Sequence, residues 1–165
     1  MPDAPASPPP ARALLAVDLG LKTGLAYYGG DGRLVWYRSH NLGTRQRLKR
    51  AAYALLNEHD GVTHLAVEGG GPLVEAWKKE ADRRGLRFLR VDAETWRRAL
   101  LTPSEMRLPS AKLKVRADAL ARAAITWSGA PQPTSLRHDA AEAVLLGLYA
   151  AVRFGWLERM PREVR

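Results

Sequence analysis

The sequence predicts an α/β fold: a mixed five-stranded sheet, three antiparallel strands and then parallel ones, flanked by helices. Three observations predict it. Short apolar runs broken by glycine begin at Ala13, and the apolar spacing turns helical after Thr44. Two later apolar runs are then separated by helical stretches long enough to serve as crossovers.

Residues 13–17 (Ala-Leu-Leu-Ala-Val) form a buried strand that stops at Asp18 and enters a turn with Gly20. Residues 24–28 are its partner, with Tyr27 and Tyr28 divided between the two faces. The cluster Gly29-Gly30-Asp31-Gly32 is a turn signal, and residues 34–37 make the third strand. Leu48, Ala51, Ala52, Leu55 and Leu56 then fall at helical spacing within residues 44–58. Residues 64–67 form the fourth strand, ending at Glu68 and followed by Gly69-Gly70-Gly71-Pro72. A helix over 74–84, a strand over 86–91 and helices over 93–101 and 110–127 follow. Pro131 and Pro133 break the chain before a last helix over 138–154.

With 165 residues the chain suits one domain, placed at 13–158 between a proline-rich leader at 1–12 and a basic tail at 159–165. Five of the eleven prolines fall in that leader, which lacks the apolar stretch of a secretory signal. The 26 Lys and Arg against 17 Asp and Glu give a net charge of +9, favouring a polyanionic partner, nucleic acid first. The apolar run at 143–152 is far short of the ~20 residues that span a bilayer, so no membrane partner is expected. Without cysteine the chain has no disulfide and no thiolate metal ligand, which fits a reducing, cytoplasmic location.

Against this basic background three placements of acid stand out. Asp18 and Glu68 each end an apolar strand, and Asp139 with Glu142 opens an Ala-rich helix. A carboxylate at the end of a buried strand is costly unless paired, hydrogen-bonded or bound to metal. Asp139 and Glu142, three apart, share a helix face. If the first and fourth strands are neighbours, the last helix has only to lay its N-terminus across them to assemble four carboxylates. Such a set suits Mg²⁺, with Mn²⁺ able to substitute, and an ion pair of this kind supports phosphodiester hydrolysis. Each acid also has a simpler account: Asp18 as a turn residue, Glu68 as a solvated strand end, Asp139 and Glu142 as first-turn acids favoured by the helix dipole.

Val17-Asp18-Leu19-Gly20 with Thr23-Gly24, Val67-Glu68, and His138-Asp139-Ala140-Ala141-Glu142-Ala143 together resemble the RuvC-type Holliday junction resolvases of the ribonuclease H-like superfamily. The resemblance covers nearly the whole chain after residue 12. It implies a ribonuclease H-like sheet, with Asp18, Glu68, Asp139 and Glu142 as catalytic and metal-binding acids. It also implies a homodimer that resolves four-way DNA junctions by symmetric nicking. Two positions depart from the family pattern: Glu142 stands where Asp is usual, and Gly69-Gly70-Gly71 replaces a loop that carries a junction-probing aromatic. His138 is a hydrogen-bonding neighbour of these acids more readily than a ligand.

Basic residues concentrate just before the last motif, with eight Lys or Arg against two acids between 97 and 137. Arg97, Arg98, Lys112, Lys114 and Arg116 are candidate phosphate contacts, the more so because Trp96-Arg97-Arg98 and the following lysines resemble the family's basic element. Arg45, in the Arg45–Arg50 cluster, is another. A solvated helix face is the competing account of such a charge run. Trp77, Trp96 and Trp127 are placed either to stack on bases or to pack in the core. Asp18-Leu19-Gly20 also resembles the first phosphate motif of actin-like ATPases, but those need a second subdomain that 165 residues cannot supply. Two alternatives remain beside the resolvase. One is a YqgF-like nuclease of RNA processing, which shares the opening motif through Lys22. The other is a binding module of the same fold without turnover.

Overall fold

The computed structural model describes residues 11–165; the first ten residues of the expected leader lie outside the described residues. Five strands form one sheet in the order β3-β2-β1-β4-β5. β1 (Ala13–Asp18), β2 (Lys22–Gly29) and β3 (Leu34–Asn41) pair antiparallel. β4 (His64–Glu68) runs parallel to β1, and β5 (Arg87–Val91) parallel to β4. The expected mixed sheet is present. β3 is longer than its apolar run, because Arg38, Ser39, His40 and Asn41 extend the ladder through backbone pairing to residues 22–25. Apolar alternation carries no signal for such a polar strand end.

Five helices cover the sheet: α1 (Arg45–Glu58), α2 (Pro72–Arg84), α3 (Ala93–Leu100), α4 (Ser110–Ser128) and α5 (His138–Arg153). Thr44 caps α1 by accepting from the Arg47 amide, and Asp92 caps α3 by accepting from the Thr95 amide at 2.8 Å. Strand periodicity divides the core. Leu15, Val17, Leu25, Leu65 and Val67 pack with α1 and α2. Leu14, Ala16, Ala26, Tyr28 and Ala66 face α4 and α5.

α5 lies close to the sheet because two glycines leave room for it. A Cβ on Gly147 would fall 2.3 Å from the Tyr28 ring and 3.1 Å from the Ala16 methyl. A Cβ on Gly24 would fall 1.9 Å from the Asp139 carbonyl oxygen, where the N-terminal turn of α5 crosses β2. Tyr28 ties the two together, its hydroxyl donating to the Val144 carbonyl.

In the segment expected as a basic tail, residues 159–165, the arginines are exposed and two apolar side chains are not. Met160 and Val164 are buried, and a 3₁₀ turn (Arg162–Val164) packs on α4. The two apolar side chains outweigh the arginines between and around them, which stay in water. Arg12, at the end of the expected leader, donates to the Gly30 carbonyl and lies over the Trp156 ring at 4.6 Å. Among the described residues no helix is long and apolar enough to cross a membrane.

Candidate metal centre

Parallel pairing of β1 with β4 puts Asp18 directly opposite Glu68 at the C-terminal edge of the sheet. The Leu19 amide donates to the Glu68 carbonyl at 2.9 Å and fixes the register beyond the last pair. By strand alternation both side chains follow Ala16 and Ala66 onto the α5 face. There the second turn of α5 brings in Glu142. One carboxylate oxygen from each of Asp18, Glu68 and Glu142 lies within 4.8 Å of the other two.

Three acids at this spacing strain one another. Burial pushes the Asp18 carboxyl up to about 8, and the charges of Glu68, Glu142 and Asp139 push in the same direction. Burial raises Glu68 to about 7, partly opposed by the Trp96 indole, whose Nε1 donates to Glu68 Oε2 at 2.7 Å. Arg97 is the cation whose charge favours the ionised form of both acids. Its Nη2 donates to Glu142 Oε1 at 2.6 Å. A single guanidinium cannot neutralise three carboxylates, two of them buried and Asp18 half-buried. The donor set, all hard oxygens converging on one point, fits a divalent cation such as Mg²⁺ or Mn²⁺.

Asp139 stands next to this group and does not join it. Its carboxylate accepts from the Ser39 hydroxyl on β3, while its charge still acts on Asp18. His138 Nε2 lies 3.2 Å from Glu142 Oε1, one turn along α5, which makes it a neighbour of the acid and places it outside the three-acid cluster.

The expected basic residues separate into distinct groups. Arg97 and Lys114 line a cavity of about 70 Å³ beside Glu142, together with Ser110 and His138. Lys112 is exposed, and Arg98 is exposed but paired with Glu94 one turn back. Arg116 is engaged by Glu105 at 2.6 Å. Arg45 is exposed in the first turn of α1, a turn that holds no acid. A cation there works against the helix dipole, so helix stability is not its reason.

The tryptophans divide similarly. Trp77 is buried in the α1–α2 core, and Trp127 is half-buried under the Arg33 guanidinium. Trp96 is buried yet supports the site through Glu68, a role that core packing and base stacking both left out. Ser39 had no sequence signal, since it lies on the polar extension of β3. Arg97 was read only as a phosphate contact, and its bond to Glu142 depends on how α3 meets α5.

No family model matches the chain, and no curated protein matches it in sequence. Solved structures do match. Thermus thermophilus RuvC in complex with a Holliday junction substrate superposes with a TM-score of 0.56 at 15% identity, covering 87% of this chain and 96% of that one. A second Thermus thermophilus RuvC structure matches with the same score, identity and coverage. This chain has the ribonuclease H-like fold in the form that RuvC displays.

Proposed function

We propose that the protein is a metal-dependent endonuclease that resolves four-way DNA junctions as a homodimer, nicking two strands symmetrically. The observation that carries this reading is the convergence of Asp18, Glu68 and Glu142 within 4.8 Å at the sheet edge of a RuvC-like fold. Bound divalent ions would activate a water and stabilise the leaving oxygen of the cleaved phosphodiester. Asp18, Glu68 and Glu142 would hold the ions, and Asp139 would join as the fourth acid if its carboxylate left Ser39. Trp96 orients Glu68 through its indole N–H, as an outer partner orients a metal ligand. Lys114 and Arg97 hold the DNA backbone beside the cluster, and Lys112 and Arg45 extend the phosphate contacts.

The test is nicking of end-labelled four-way, Y-shaped, duplex and RNA–DNA substrates in Mg²⁺ and in Mn²⁺. Four-way junctions are expected to be cleaved most efficiently. The variants Asp18→Asn, Glu68→Gln, Asp139→Asn and Glu142→Gln should each lose at least ~10²-fold in rate while still binding the junction. Full activity in Asp18→Asn or Glu68→Gln would reject the site. Preference for an RNA-containing substrate would favour the YqgF-like alternative, and binding with no metal-dependent cleavage would favour the inactive module.

A further inference from the structure

α3 presents two consecutive side chains to the carboxylate cluster, and they do different things. Trp96 is neutral and holds Glu68 by one hydrogen bond. Arg97 is charged, sits on Glu142 at 2.6 Å, and acts electrostatically on Asp18 and Glu68 as well. A guanidinium in that place lies where an incoming cation would be attracted, and it repels that cation. Arg97 also lines the cavity of about 70 Å³ that Lys114, Ser110 and His138 share beside Glu142. That volume accommodates several waters. The cavity wall is mainly apolar, from Trp96, Leu113, Leu120 and Leu145, and Glu142 itself lines it, so Arg97 stands between the carboxylate cluster and Lys114 at the polar edge of the cavity.

We propose that Arg97 is a positioning residue that exchanges partners, resting on Glu142 when the cluster lacks a metal and turning to a backbone phosphate held by exposed Lys114 at the edge of this cavity when the metal arrives. The proposal rests on the metal-dependent reading above. Its consequence is cooperativity. A phosphate that draws Arg97 away removes both a competitor for Glu142 and a repelling charge, so metal binding tightens. By linkage, metal tightens phosphate binding by the same factor. The free protein then holds its metal weakly, and the site assembles fully on a DNA backbone.

The experiment is calorimetric titration of the full chain with Mn²⁺, without DNA, in the absence and presence of sulfate at constant ionic strength. Sulfate serves as the tetrahedral dianion because it stays soluble with Mn²⁺. For the wild type, sulfate is expected to tighten Mn²⁺ binding about fivefold or more. Arg97→Ala should bind Mn²⁺ about fivefold more tightly than wild type without sulfate, and sulfate should then have no effect. Lys114→Ala should lose most of the sulfate response. Arg97→Lys, which retains the charge, should restore part of it. Arg97→Gln keeps a donor toward Glu142 without the charge, and stands in if Arg97→Ala does not fold. A purely structural Arg97 would lower the melting temperature and leave the Mn²⁺ affinity and sulfate response of the folded variants at wild-type values, which overturns the proposal. Asp18→Asn separates the two levels. Mn²⁺ binding that Asp18→Asn abolishes and Arg97→Gln leaves unchanged removes only the exchange. Mn²⁺ binding absent from the wild type, or unaffected by Asp18→Asn, removes the metal centre itself.

Discussion

Under α1 and α2 the central strands carry Leu15, Val17, Leu25, Leu65 and Val67, whereas under α5 they carry Ala16, Ala26 and Ala66 near the site, with Leu14 and Tyr28 farther along. The first face is a conventional core, filled by branched side chains that meet two amphipathic helices. The second is shaved down so that an Ala-rich helix can lie close, with Gly147 against Tyr28 and Gly24 under the Asp139 carbonyl. The difference is functional in effect. Large side chains beneath α5 would lift its N-terminal turns, and Glu142 would no longer reach Asp18 and Glu68.

Adjacent residues of β4 put this contrast to its strongest test. Leu65 and Ala66 are both fully buried and face opposite ways. Leu65→Ala should cost ~2–5 kcal/mol in urea unfolding through the cavity it leaves, with Mn²⁺ affinity at the wild-type value. Ala66→Leu should cost ~1–3 kcal/mol through overpacking and in addition abolish Mn²⁺ binding, because α5 is displaced. Equal effects of the two variants on metal binding would break the contrast.

The legibility of the chain follows the same division. Apolar alternation and helical spacing were enough for the mixed sheet and for putting Asp18 and Glu68 at strand ends, while the pairing of β1 with β4 that sets them opposite each other came from the structure. The helix acids were harder to read. Spacing put Asp139 and Glu142 on one face, but a face about 100° wide includes both a side chain aimed at the cluster and one turned to β3. Ser39 decided between them. It sits at the polar end of β3, where periodicity carries no information, and it draws Asp139 aside. Arg97 illustrates a second limit, since charge in a sequence does not reveal whether its partner is a phosphate or a neighbouring carboxylate. The buried end of the chain was hidden for a similar reason: Met160 and Val164 are too few to form a pattern among the arginines.

Charge distinguishes the two faces as well, and pH sharpens that difference. Asp18 and Glu68 have carboxyls raised to about 8 and about 7 in the folded protein without metal, chiefly by burial. The folded state therefore binds more protons than the unfolded state between the ordinary carboxylate range, near 4, and about 8. Stability is full below that window and falls as pH rises through it. The metal-free protein should melt several degrees higher at pH 5 than at pH 8, as read by circular dichroism. Millimolar Mg²⁺ should recover the loss at pH 8 and have little effect at pH 5, where protons occupy the carboxylates. Asp18→Asn should flatten the pH dependence, while Leu65→Ala should lower the whole curve and leave its slope alone. A metal-free wild type whose melting temperature is constant from pH 5 to 8 would contradict the electrostatic account of the cluster.

The smallest expected effect lies on α4, where two cations two residues apart differ in their partners. Arg116 is held by Glu105 at 2.6 Å, so its charge is already answered within the protein. Lys114 is exposed and lines the cavity beside Glu142 with Arg97. A cation that neutralises one phosphate of duplex DNA contributes about 0.9 to the slope of log K against log salt concentration. Lys114→Ala should therefore flatten the slope for a four-way junction by about 0.9, and weaken binding alike for every sequence, since phosphates carry no base information. Arg116→Ala should leave the slope at the wild-type value, because the Glu105 charge it exposes is screened at the surface. Measuring affinity at four or five salt concentrations for the three proteins checks both expectations. A flattened slope in Arg116→Ala with none in Lys114→Ala would mean that Arg116 leaves Glu105 on binding and that the backbone runs along the Glu105 side of α4, away from the carboxylate cluster.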